Sequence, residues 1–149
     1  MGSRHRGAAE EVRALNAFIA LSRAAGSVTA RTRAVIAEAG LTESQFGVLE
    51  ALYHLGPLCA ADLAQKVLRS RGNLTLVLSN LERGGLVART TRTEDRRYRT
   101  VELTVKGKRL VKTEFPRHAR LVAKTMGVLA PAELDELRRL CRKLGVAAA

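Results

Sequence analysis

Tryptophan is absent from the 149 residues and aromatic side chains make up only 3%. That removes the stacking platforms on which single-strand nucleic-acid binders lay successive bases. Cysteine is nearly as scarce: Cys59 and Cys141 are too few and too isolated for a disulfide scaffold or a four-ligand zinc site. No His, Cys and carboxylate set has zinc spacing, so neither a metal nor a cofactor is expected. No run approaches the ~20 consecutive apolar residues of a membrane span. The opening MGSRHRGAAEEV lacks the apolar stretch of a signal peptide. The expectation is a cytoplasmic protein without a membrane partner, its cysteines reduced. Catalytic signatures are also missing, with no Gly-x-Ser-x-Gly, no P-loop and no Cys/His/Asp set at a recognisable spacing, so an enzyme is not expected. Glu10-Glu11 and Glu133-Asp135-Glu136 read as acids at helix starts, answering the helix dipole.

Negative charge is the last shortage. There are 26 Lys and Arg residues against 14 Asp and Glu, a formal net charge of +12. Such a balance favours nucleic acid or an anionic surface as partner and says nothing about fold. The excess is uneven, because Arg69 to Arg109 holds 11 basic and four acidic residues, more than half of it on about a quarter of the chain. A hydrophobic content of 46% supplies a real core, and the length is that of one domain.

What is present is a succession of amphipathic helices and one hairpin. Ala8 to about Glu38 reads as a long helix with a broad apolar surface that includes Val12, Leu15, Phe18, Ile19 and Leu21, ended by Gly40. Thr42 and Gln45 have capping-box spacing and start a second helix, which Gly56-Pro57 closes. A short third helix has Asp62 in its first turn and Leu63 and Val67 as core contacts. Ser70 is the natural cap of a fourth, in which Leu74, Val77, Leu78 and Leu81 recur at i, i+3, i+4 and i+7. One stripe of that helix is therefore buried, and Arg71, Asn73, Thr75, Leu76 and Ser79 are left to other faces. Gly84-Gly85 ends it. Leu86 to Thr91 and Tyr98 to Leu103 are strand-like and flank a loop in which Arg92, Arg96, Arg97 and Arg99 surround Asp95, a density of positive charge that a polyanion neutralises. After Thr104, a helix cap, a long helix carries Leu110, Val111 and Phe115, with a bend expected at Pro116. Ala130-Pro131 opens the last helix, whose Leu134, Leu137, Cys141 and Leu144 form a narrow seam suited to another helix. The terminal helices carry more apolar face than a compact lobe covers, which implies a symmetric dimer.

Two short helices, an amphipathic reader and an arginine-tipped hairpin point to double-stranded DNA as partner. Leu41 to Leu110 resembles the MarR family of bacterial winged-helix regulators, on LTESQFGVLEAL, DLAQKV, LTLVLSNLERGGLVAR, EDRR and VELTVKGKRL. The resemblance implies a mainly α fold with a small two- to three-stranded β wing, a winged helix-turn-helix with long terminal dimerisation helices. Within a single domain, 1–149, about 8–40 and 105–146 would be dimerisation helices and about 41–104 the DNA-binding lobe. It also implies a homodimeric repressor, released from a pseudo-palindromic operator when a small-molecule effector binds between the dimer helices and that lobe. FGVLEALYHLGP and Glu114 to His118 are similar to a branch that answers phenols, quinones or thiol-reactive compounds. In the family the D-x-R of the wing is the most specific local mark, here Asp95-Arg96-Arg97. Arg97 would enter the minor groove, where a narrow groove concentrates negative potential, and Asp95 would orient a neighbouring arginine.

The expected DNA-binding set is thus Arg69, Ser70, Arg71, Asn73, Thr75, Leu76, Ser79, Arg92, Asp95, Arg96, Arg97 and Arg99, with Arg69, Arg92, Arg96 and Arg99 chiefly on phosphate. Two other readings stay open: an architectural duplex binder without an effector, and a redox or electrophile sensor using Cys59, which occupies a helix-cap position. The milder reading of Cys59 is a small capping residue. His54, His118 and Tyr53 read as ordinary interface or surface residues.

Overall fold

The computed structural model describes residues 4–67, 71–91 and 99–147. Among them the elements are α1 (Ala9–Glu38), α2 (Glu43–Leu55), β1 (Leu58–Cys59), α3 (Ala60–Lys66), α4 (Arg71–Arg83), β2 (Val87–Thr91), β3 (Arg99–Leu103), α5 (Val105–Met126) and α6 (Pro131–Ala147). The expected helical chain with a β wing is the one observed. Arg33 to Ala119 forms one compact unit, and the described residues before and after it form a second.

In the Arg33–Ala119 unit, helix ends follow local chemistry. Gly40 and Gly85 take left-handed φ of 71° and 68° and close α1 and α4 in the same way. In each case the next residue's N–H reaches back five residues, Leu41 to the Ile36 carbonyl and Leu86 to the Leu81 carbonyl, the double-bonded turn that glycine favours. Thr42 caps α2 by the expected reciprocal pair: its Oγ1 accepts from the Gln45 N–H at 3.2 Å, and the Gln45 Oε1 accepts from the Thr42 N–H at 2.8 Å. Gly56 closes α2 at φ 80°.

The core of this unit draws on Val48, Leu49 and Leu52 of α2, Leu63 of α3, the α4 stripe Leu74/Val77/Leu78/Leu81, Val87 and Val101 of the sheet, and Val111 of α5. The sheet is antiparallel in the order β1-β3-β2, with Leu58 opposite Val101 and Val87 opposite Leu103. Val101 and Leu103 face the core, and Thr100 and Glu102, which alternate with them, are only partly covered, the period-2 alternation of a strand wet on one side. Strand β1 is the third strand that the expected two- to three-stranded wing allowed, but its place at Leu58–Cys59 is not legible in the residues, because two residues carry no period. It exists because the backbone just before α3 can pair with the free edge of β3.

The loop after α4 is stitched to the start of α5. The Leu86 carbonyl accepts from the Thr104 N–H at 3.1 Å. The Thr104 hydroxyl donates to the Gly85 carbonyl at 2.7 Å and accepts from the Gly107 N–H at 3.0 Å, so it is the expected cap of α5 and a strut to the α4 turn as well. The Lys106 Nζ donates to the Gly84 carbonyl at 2.8 Å. Gly107 is buried because only a residue without Cβ lets α5 come this close: a methyl there would collide with the Leu86 carbonyl oxygen.

The other unit is less well covered. The Glu133 carboxylate accepts from the Ala130 N–H at 2.8 Å, and Pro131 fills the first helical position, so the last helix starts as expected. Leu15, Phe18 and Leu21 of α1 and Leu137, Leu140 and Leu144 of α6 are exposed. Cys141, on the same expected α6 seam, is exposed too, and α6 buries no residue among those described. Pro116 lies inside α5, which continues past it.

Gly107→Ala is expected to destabilise the fold by about 1–3 kcal/mol, because the obstacle is backbone, which cannot swing aside as a side chain would. Thr104→Ala should lose about 1 kcal/mol for the cap. Urea midpoints of the two variants check both, with Gly107→Ala the worse.

Candidate nucleic-acid interface

Helix α4 presents two unlike faces. Leu74, Leu78 and Leu81 are almost completely covered, which fixes the rotation of the helix about its own axis. The opposite side then holds Asn73 and Thr75, both exposed, Ser79, half covered, and Leu76, which is 60% exposed. From Asn73 to Asn80 there is no charged side chain. Thr75 borders a shallow cleft in whose lining Ala60 and Ala61 of α3 join Leu74 and Leu78. The two helices of the helix-turn-helix therefore meet beside the exposed face.

The expected set is only partly within the described residues. Asn73, Thr75, Leu76 and Ser79 come together on one side of α4, and Arg71 begins that helix. Arg99 opens β3. Arg69, Ser70, Arg92, Asp95, Arg96 and Arg97 lie outside the described residues, and with them the cap expected at Ser70 and the wing tip. One basic residue escaped sequence reading: Arg83 is exposed at the end of α4, and its spacing of seven from Leu76 and four from Ser79 was the signal available. Arg89 of β2 is engaged elsewhere, its Nε 3.5 Å from Glu82.

Cys59 caps α3. Its Sγ accepts from the Asp62 N–H at 3.4 Å, and its thiol donates to the Asp62 carboxylate at 3.1 Å. The thiol thus does what a serine hydroxyl would do at that place, with a longer bond.

A second cluster joins α2 to α5 within the same unit. The Phe46 and His118 rings lie 4.9 Å apart, and His54 meets Phe115 edge-on at 4.7 Å and Tyr53 at 5.2 Å. The His118 Nδ1 is buried and has no hydrogen-bond partner among the described residues. Tyr53 and His54 are exposed and His118 is half-buried, and their ring contacts between α2 and α5 are non-local, which leaves no trace in a linear pattern. Next to His118 in the chain, Arg117 bridges Glu38 at 2.7 Å and Glu114 at 2.8 Å. The hydrogen bond to Glu38 first, and then the one to Glu114, hold its guanidinium above the ordinary arginine range.

Comparison with known proteins agrees with this geometry. The model of the MarR family matches residues 41–98. The HTH-type transcriptional regulator YkoM of Bacillus subtilis is 35% identical over 138 residues, 92% of this chain and 90% of that one. MhqR, another HTH-type transcriptional regulator of Bacillus subtilis, is 32% identical over 134 residues, 90% of this chain and 92% of that one. Among solved structures, that of Bordetella bronchiseptica BpsR, whose DNA binding is regulated by 6-hydroxynicotinic acid, superposes with a TM-score of 0.77 at 30% identity, covering 84% of this chain and 89% of that one. With the helix-turn-helix, the uncharged outer face of α4 and relatives matched nearly end to end, the chain belongs to the MarR family and is a DNA-binding transcriptional regulator.

Proposed function

We propose that the protein is a homodimeric repressor that reads a pseudo-palindromic operator with paired α4 helices and releases it when a small phenolic or quinone-like ligand binds. The observation that carries the reading is α4 itself, with an inner stripe that sets its rotation and an outer face of short polar side chains around Leu76. Such a face suits base edges in a major groove, since a phosphate-gripping face would be basic. Arg71, Asn73, Thr75, Leu76 and Ser79 contact bases or the adjoining backbone. Arg69, Ser70, Arg92, Arg96 and Arg99 hold phosphates, and Arg97, oriented with the help of Asp95, enters the flanking minor groove.

Two further observations support the rest of the proposal. Leu137, Leu140 and Leu144 of α6 and Leu15 and Phe18 of α1 are large apolar side chains open to solvent, and a second copy is their simplest cover. BpsR answers a hydroxylated aromatic acid. In this chain the rings of Phe46, His54, Phe115 and His118, with the unpartnered Nδ1, offer apolar contact and one hydrogen bond to a ligand of that kind. The ligand acts by binding one arrangement of the dimer better than the DNA-competent one.

The reader assignment is tested on operator and scrambled duplexes across a salt series. Thr75 and Ser79 variants should change which bases are preferred, whereas Arg69→Ala should weaken both duplexes alike and lower the salt slope by about one unit for each phosphate no longer neutralised. Equal losses on both duplexes for Thr75 and Ser79 variants remove α4 as the sequence reader. For the dimer, Leu137→Glu should yield a monomer or aggregates by light scattering while wild type runs as a dimer at micromolar concentration. A well-folded wild-type monomer contradicts the proposal. For the effector, a panel of phenols, quinones and 6-hydroxynicotinic acid should contain a compound that lowers operator affinity fivefold or more, within the roughly 5–150-fold usual for coupled sites. His118→Phe should keep operator binding and lose that response, and Cys59→Ser should keep both. A response that disappears in Cys59→Ser identifies a thiol sensor instead.

A further inference from the structure

We propose that Leu76 is a thymine reader: in the DNA complex its side chain packs against the C5 methyl group of one thymine in each half-site, and α4 thereby discriminates thymine from the other bases at that position. The inference rests on α4 being the base-contacting helix and names the base edge that the centre of the helix takes.

A lone exposed leucine on a protein surface is ordinary. Leu76 differs by its place. It stands near the middle of α4, 60% exposed, on the side opposite Leu74, Val77 and Leu81. Gly72 comes one turn earlier, Ser79 one turn later and Arg83 two turns later, so no bulky neighbour on that line rises above Leu76 until the helix ends. Asn73 is exposed nearby, and neither it nor Asn80 carries a charge. Whatever meets this stretch of helix meets an apolar tip ringed by small or amide side chains.

The chemistry of the major groove selects the match. Guanine offers N7 and O6 acceptors, cytosine an amino donor and adenine one of each, whereas thymine alone adds a methyl group to its O4 acceptor. Leucine has nothing to exchange with an acceptor or an amino group. Laid over a G·C pair it would strip water from polar edges and return no hydrogen bond, which is penalised. Against thymine the same side chain removes a methyl from water. Phosphate is the poorest match of all, because an apolar tip cannot compensate its charge. The basic residues that can do so fall outside the stretch from Asn73 to Asn80.

The test begins with full-length protein selecting its preferred duplex from a random library. Each thymine of the protected footprint is then replaced singly by deoxyuridine, which lacks only the methyl. We expect one symmetry-related position at which deoxyuridine weakens wild-type binding about fourfold per half-site, the size of one buried methyl-sized group. Leu76→Ala should bind the thymine and deoxyuridine duplexes equally, and Leu76→Met, which keeps an apolar tip, should retain the difference. Thermal unfolding confirms that both variants fold, as the exposed position leads us to expect. Wild-type indifference to deoxyuridine at every position overturns the proposal, and so does an undiminished difference in Leu76→Ala. Failure of the underlying reading looks different: no preferred sequence emerges from the library, or Thr75 and Ser79 variants lose affinity equally on selected and scrambled duplexes.

Discussion

The close approach of α5 to the turn after α4 is the constraint on which the DNA-binding lobe depends. The carbonyls of Gly84, Gly85 and Leu86 would be left over where a helix stops and a strand begins, and all three are taken by Lys106 and Thr104. The bonds to Gly84 and Gly85 are exposed, where water is the alternative partner, so what they contribute is the link that holds the turn against α5. Because β3 runs directly into Thr104, the same threonine ties together the end of α4, the end of β3 and the first turn of α5. The α4 stripe sets the rotation of the helix about its axis, and the stitched turn sets where it ends. Orientation of its outer face needs both.

Much of this lobe was legible in the residues because the decisive signals are local. The i, i+3, i+4, i+7 leucine and valine stripe of α4, the Thr42/Gln45 capping box, Gly40, Gly56 and Gly85 at positive φ and Thr104 as a cap all act within one or two turns of themselves. The features that could not be read are those whose partner lies far along the chain. Nothing around Gly107 announces that the Leu86 carbonyl will sit where its Cβ would be. The contacts of Phe46 with His118 and of His54 with Phe115 depend on how α2 and α5 pack, and β1 depends on an open edge of β3. Cys141 marks the limit of such spacing, which picks out an apolar seam on α6 and leaves open the element that covers it.

The candidate site divides along the same line. Helical periodicity identified the outward residues of α4, and the structure brings Asn73, Thr75, Leu76 and Ser79 to one side. Arg83 lies outside the expected set, although its spacing from Leu76 and Ser79 makes it the next member of that face. Arg89 shows why a count of basic residues overstates an interface, since Glu82 already takes part of its charge. Net charge reports how strongly a polyanion is attracted at long range. Which cations remain available to it is decided by pairing, one residue at a time.

The position of Arg89 has another consequence, for association between chains. With the strands in the order β1-β3-β2, β2 is the outer strand of the sheet on one side, and an outer strand is a template on which a second copy can add by backbone pairing. A charged, solvent-facing residue in the middle of that five-residue strand, held by an ion pair to the preceding helix, makes such an addition desolvate a guanidinium that has no partner in the incoming strand. On the opposite side β1 is two residues long, too short to nucleate a ladder. The small sheet is thus guarded at both margins against runaway polymerisation, by an arginine at one and by brevity at the other.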